Sequence, residues 1–223
     1  DPIEFIPVSL ASAEAVLTDP EIQVVSIATY DDVHAEQVLM ALRHGKHVFV
    51  EKPLCQTNEQ LRAIQNLCAE NPQLQISSNL ILRRCPRFQK LRNDIREGKF
   101  GDIFFIEGDY DYGRLHKLTE GWRGKIPGYS VLLGGAIHLI DLILWLKGGE
   151  VIEAFGMSNR LASRTSSFGG NDFSVGLLRF ADSSIAKITA NFGCVRPHFH
   201  GLKIYGTQAT FENGLPAKVY FSR

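Results

Sequence analysis
In the first third of the chain, short apolar runs alternate with stretches whose apolar residues recur at helical spacing. QVVSIAT, Gln23 to Thr29, is apolar and rich in β-branched residues. DVHAEQVLMALRHG follows, with Val33, Val38, Ala41 and Leu42 at helical spacing and Gly45 as a stop. HVFVEK predicts a second strand, and TNEQLRAIQNLCAEN a second helix. Thr57 opens that helix with Gln60 three residues on, the pattern of a capping box. LQISSN predicts a third strand. Continuous apolar strands joined by helices predict parallel βαβ units whose sheet is covered on both faces.

The pattern then changes. CPRFQKLRNDIREGKFG predicts a helix ended by Gly98 or Gly101. After it come DIFFIEGDYDY, EVIEAFGMSN, FSVGLLRF, SIAKITANF and HGLKIYGTQATFEN, long strands that often alternate in polarity and are separated by turns such as FADSS and FGGND. They predict a mostly antiparallel open sheet with one face on a core. GGAIHLIDLILWLKGG, Gly134 to Gly149, is apolar on nearly all sides and predicts a buried helix. The expected organisation is therefore an α/β domain over residues 1–82 and an α+β domain over residues 83–223, with the switch near Asn79 to Pro86.

Composition narrows the function classes. Lys+Arg and Asp+Glu are both 24, so neither a basic excess for nucleic acid nor a polybasic run for a membrane surface is present. The longest apolar run, Leu139 to Leu146, is interrupted by Asp141 and is too short to span a bilayer. No signal peptide is visible. Cys55, Cys68, Cys85 and Cys194 are scattered without a CxxC pair, which fits a reducing, cytoplasmic setting.

Ligands of open parallel sheets sit beyond the carboxyl ends of the strands. Each of the three early strands ends in polar groups there: Thr29-Tyr30-Asp31, Glu51-Lys52-Pro53 and Ser77-Ser78-Asn79. Lys52 stands out because it directly follows a buried strand and precedes a proline that fixes the backbone. A lysine held there is preorganised and partly desolvated. His138 is a second candidate, with Asp141 three residues on along the same helix face. The two read either as a proton-transfer unit with its orienting carboxylate or as a structural pair. His198 and His200 share one side of an extended segment, a weak metal pattern for which no third ligand has fitting spacing, so no metal is expected. Tyr110, Tyr112, Arg114, Lys117, Trp122 and Arg123 form an amphipathic cluster suited to a polyhydroxylated or anionic ligand, or to a solvated rim.

From about Ser9 to Asn213 the chain resembles the Gfo/Idh/MocA family, which includes glucose–fructose oxidoreductase and inositol dehydrogenase. VVSIATYDDVHAEQVLMALRHGKHVFVEKPL carries most of the resemblance, with the Glu-Lys-Pro signature at Glu51 to Pro53. The resemblance implies a partial Rossmann-type sheet that contacts NAD or NADP through Ala28, Thr29, Tyr30, His34, Glu51, Lys52 and Asn79. It implies His138 as acid/base and Lys52 beside the substrate hydroxyl, with Asp141 substituting for an aspartate that many members carry four residues before the histidine, where this chain has Gly134. Tyr112, Trp122 and Arg123 would face a sugar-like or cyclitol substrate, and the second sheet would serve homo-oligomerisation. The family opens with a glycine-rich turn that holds the pyrophosphate, and no GxGxxG occurs in these 223 residues. The sequence thus reads as part of a sugar-type oxidoreductase with further residues upstream of Asp1, or as a non-catalytic binding or assembly module derived from that family. It also predicts self-association through the edge of QVVSIAT and through the second sheet.

Overall fold
The computed structural model describes residues 12–214 and 218–221. Ser9, where the family resemblance starts, lies outside the described residues. The chain forms two compact units, one ending at Asn79 and one starting at Leu80. This break lies at the start of the switch region, Asn79 to Pro86, three residues before the expected bound at residue 82. The reason is that the 3₁₀ turn Ile81–Arg84 puts Leu82 into the second hydrophobic core.

The first unit holds helix α1 (Ala13–Thr18), strand β1 (Val24–Ile27), helix α2 (His34–Arg43), strand β2 (His47–Val50), helix α3 (Asn58–Glu70) and strand β3 (Ile76–Ser78). The sheet is parallel in the order β1-β2-β3. Its core is apolar and built mainly from alternate strand residues and the inner helix faces: Val25, Ile27, Val48, Val50, Val38, Ala41, Leu42 and Ile64. Thr57 and Gln60 form the capping box that starts α3, each side chain bonded to the other's backbone N–H. Among the described residues β1 is an edge strand.

The second unit continues with helix α4 (Pro86–Arg96), strand β4 (Ile103–Asp111), the short helix α5 (His116–Thr119), helix α6 (Ile137–Lys147) and strands β5 (Val151–Asn159), β6 (Phe173–Phe180), β7 (Ile185–Asn191), β8 (Phe199–Gly206), β9 (Ala209–Glu212) and β10 (Lys218–Phe221). They build one seven-stranded sheet in the order β10-β9-β8-β4-β7-β6-β5. Neighbours pair antiparallel except β4 and β7, which run parallel. A parallel pair needs a long crossover, and the chain between β4 and β7 supplies one. HGLKIYGTQATFEN, expected as one strand, is split into β8 and β9 by a bend at residues 207–208.

Helix α6 buries Leu139, Leu142, Ile143 and Leu146 against one face of this sheet. It can approach β4 closely because residue 108 is glycine: a Cβ there would stand 3.0 Å from Ile143 Cδ1. The other face is open. Phe155, Met157, Leu177 and Ile185 are exposed on it, and cross-strand register places them on one side. No helix among the described residues is long and apolar enough to cross a membrane.

Candidate functional site
In the first unit the parallel strands bring Ala28, Glu51 and Asn79 to one edge of the sheet. The ladder continues one residue past each strand, with Glu51 N donating to Ile27 O at 2.8 Å and Asn79 N to Val50 O at 2.8 Å. Asn79 Nδ2 then donates to Glu51 Oε1 at 2.6 Å, and Lys52 N to Glu51 Oε2 at 3.3 Å. The carboxylate is thereby fixed between the ends of β2 and β3, beside a half-buried Lys52. Thr29 donates through Oγ1 to Gln37 Oε1 at 2.8 Å, and Tyr30 is exposed. Ala28, Thr29 and Gln37 also line a small open cleft of about 170 Å³ along β1.

His34 behaves differently from the contact residue the sequence suggested. It is fully buried, with Nδ1 2.8 Å from Pro53 O and Nε2 3.1 Å from Thr29 O. Both nitrogens face main-chain carbonyls, so the side chain braces the turns after β1 and β2 against each other instead of presenting a polar atom to a ligand.

In the second unit the candidate residues gather where α6 crosses β4 and β8. His138 is buried, and its ring is edge-on to that of His200, with centres 5.6 Å apart. Tyr110 and Tyr112 stack at 5.6 Å, and His198 and His200 meet their rings edge-on. Arg114 lies over the Tyr112 ring, and Arg123 over that of Trp122 at 4.4 Å. Trp122 in turn meets Tyr129 edge-on at 6.5 Å. Burial pushes the Tyr110 hydroxyl well above the usual phenol range, so it stays neutral. Burial also lowers His198 and takes His200 down to about 4, with the neighbouring histidines adding to the shift in His200.

Asp141 is the clearest correction. The sequence offered it as the orienter of His138. Instead Arg83 grips both its oxygens, Nε donating to Oδ2 at 2.7 Å and Nη2 to Oδ1. A bidentate guanidinium satisfies the carboxylate and holds it away from an imidazole-orienting role. The pair also raises the Arg83 guanidinium.

Leu132–Ala136 forms a π turn ahead of α6, which the sequence reading had merged into one helix. Tyrosine rings occupy the space above its glycines. A Cβ on Gly134 would stand 1.9 Å from Tyr129 Oη, and one on Gly135 2.4 Å from Tyr110 Cε1. An aspartate at Gly134, the residue many family members carry there, would collide with the Tyr129 ring.

His200, Tyr129 and Arg83 are the residues that sequence reasoning left out of the site or placed elsewhere. The only signal for His200 was its spacing from His198, which suggested metal. Among the described residues no group of three or more His, Cys, Asp or Glu side chains is set to hold a metal ion.

Comparison with known proteins covers both units. Residues 5–78 match the family model described as an oxidoreductase family with an NAD-binding Rossmann fold. Residues 88–212 match that of the GFO/IDH/MocA C-terminal domain. The 1,5-anhydro-D-fructose reductase of Ensifer adhaerens is 28% identical over 204 residues, covering 91% of this chain and 60% of the relative. The levoglucosan dehydrogenase of Pseudarthrobacter phenanthrenivorans is 31% identical over 169 residues, covering 74% of this chain and 43% of the relative. A levoglucosan dehydrogenase solved in complex with NADH superposes with a TM-score of 0.86 at 24% identity, covering 95% of this chain and 60% of that one. A myo-inositol 2-dehydrogenase from Lactobacillus plantarum superposes at 0.84 and 19% identity, over 92% of this chain and 61% of its own. The chain thus spans about 60% or less of the length of these proteins.

Proposed function
The chain belongs to the GFO/IDH/MocA oxidoreductase family, and on that premise we propose that it serves hydride transfer between a sugar- or cyclitol-type carbinol and NAD or NADP. The observation that carries the reading is the locked strand-end group, in which Asn79 fixes Glu51 directly beside Lys52 at the carboxyl edge of a parallel sheet. The relatives named for sugars and inositols support this substrate class.

The strand-end residues fit the nicotinamide half of such a cofactor. Thr29, Glu51, Lys52 and Asn79 offer donors and acceptors, and the cleft beside Ala28 is open and partly apolar. No GxGxxG turn for a pyrophosphate occurs in these 223 residues. When bound, the cofactor supplies the hydride chemistry. The chain's own residues do the rest. Lys52 polarises the substrate oxygen with its ammonium, which its place at the end of β2, ahead of Pro53, keeps preorganised. His138 takes or returns the hydroxyl proton from a buried position where water does not compete. Tyr112, Trp122 and Arg123 offer aromatic faces and a cation to a polyhydroxylated substrate. The working protein is a cytoplasmic homo-oligomer, a reading supported by four free cysteines and the open apolar sheet face.

The test is Lys52→Met in a form that turns over a polyol or sugar. Methionine keeps the stem and removes the charge, so kcat is expected to fall about 100-fold or more with the melting temperature unchanged. Unchanged turnover would make Lys52 a strand-end charge. Failure of every form, including one carrying a glycine turn, to bind NAD(H) or NADP(H) would favour a binding or assembly module.

A further inference from the structure
Three imidazoles stand in a row in the second unit, and burial falls along it. His138 on α6 is buried, His200 on β8 is half-buried and His198 just ahead of β8 is exposed. Their ring centres are 5.6 Å and 4.8 Å apart in sequence along the row. Two imidazoles joined by an N–H···N bond of about 2.9 Å have centres roughly 5 Å apart. Both gaps are therefore within a small ring rotation of direct proton transfer. Nε2 of His200 is buried and, among the described residues, has no hydrogen-bond partner. A buried ring nitrogen left so is costly unless something visits it.

The row is also held in place. Asn213 Nδ2 donates to His200 O at 2.7 Å, and Arg87 on α4 donates to Asn213 Oδ1. Tyr110 of β4 and Tyr112 just past its end wall the rings, and Arg114 faces His198. Arg196 and Asp111, paired with each other at 2.8 Å, flank the same segment.

We propose that His200 and His198 form a proton relay between His138 and solvent. The relay rests on the reading that His138 takes the carbinol proton. In the oxidative direction the substrate O–H bond breaks and its proton bonds to a ring nitrogen of His138. That N–H then breaks as one forms at Nε2 of His200. His200 releases a proton from its other nitrogen to His198, and His198 delivers one to water. One proton enters and one leaves, no electrons move along the row, and the reverse direction runs the same steps backwards. A pKa of about 4 suits His200 to this part, because a ring that stays neutral near neutral pH passes a proton on without trapping it.

The test reads proton exchange directly on the 223-residue chain. With ¹⁵N-labelled histidine, NMR gives the rate at which the His138 ring N–H exchanges with water. His200→Phe keeps a flat ring and removes both nitrogens, so exchange is expected to slow by about tenfold or more. His198→Phe, at an exposed position with little effect on folding, is expected to slow it by a smaller factor. Merely structural histidines would leave exchange unchanged or, by loosening the packing, speed it. Unchanged or faster exchange in His198→Phe, and in His200→Phe if circular dichroism shows it folded, overturns the relay. Slowed exchange, with no polyol oxidised even by a form carrying a glycine turn, keeps the relay and sinks the proposed reaction. Turnover with unaltered exchange does the opposite.

Discussion

Asp141 and His138 sit three positions apart on one helix, the spacing at which side chains meet, yet the carboxylate is taken by Arg83 from outside the helix. Asp141→Asn is therefore expected to cost stability before chemistry. The Arg83 side chain is 45% exposed, which holds the loss to about 1 kcal/mol, read as a lower urea midpoint. Turnover per folded molecule should stay near the parent value, whereas His138→Ala should abolish it. His200 predicts a pH effect. Its folded value of about 4 lies below the ordinary 6.5, so between these limits the unfolded chain binds a proton that the folded one refuses. Stability is expected to rise with pH across that window and to fall as the solution is acidified through it. Urea midpoints measured from pH 4 to 7 should show the slope, and His200→Phe should flatten it.

The parts that could be read in advance are those written locally. Thr57 and Gln60 lie within one helical turn, and their reciprocal bonds start α3 where the sequence placed it. The strand runs declare themselves by alternation or by continuous β-branched residues. What could not be read depends on distant partners. The parallel pairing of β4 with β7 joins Phe105 to Ile185, and no local pattern encodes it. Arg83 and Asp141 are likewise far apart in the chain and meet because the turn Ile81–Arg84 packs on α6, while His138 and His200 meet where α6 nears β8. Strand β5 adds a prediction. It is exposed along almost its whole length, and Phe155 and Met157 share its open face with Leu177 and Ile185. Contiguous apolar surface of this kind marks an association site. Light scattering is expected to show dimers or larger species, and Phe155→Glu with Met157→Lys should yield monomers. An unchanged mass in that double variant would point to the edge of β1 instead.

Taken as a chain of two units, the protein concentrates its polar strand-end chemistry in the first and its aromatic and imidazole cluster in the second. The first unit's fold was legible because two overlapping βαβ units, β1-α2-β2 and β2-α3-β3, were complete in the sequence. No GxGxxG turn occurs in these 223 residues. The 223-residue chain should accordingly bind NAD(H) or NADP(H) weakly, because the main anchor of a dinucleotide is the glycine turn at a helix N-terminus. Fluorescence titration is expected to give a dissociation constant well above the low-micromolar range. Tight binding would mean that the strand-end residues anchor the cofactor alone.

The tyrosine rings over Gly134 and Gly135 also bear on how this site can change over generations. An acidic residue four places before His138 is not one mutational step away. Its first carbon would collide with Tyr129, whose ring carbon Cζ as well as its hydroxyl lies within 2.5 Å of the required position. Loss of the hydroxyl alone, in Tyr129→Phe, would leave that collision in place. A lineage acquiring the acid must first shrink Tyr129 to an aliphatic residue, accepting a weaker core, and only then exchange the glycine. The two substitutions are order-dependent: harmful if the acid comes first, tolerable if it comes second.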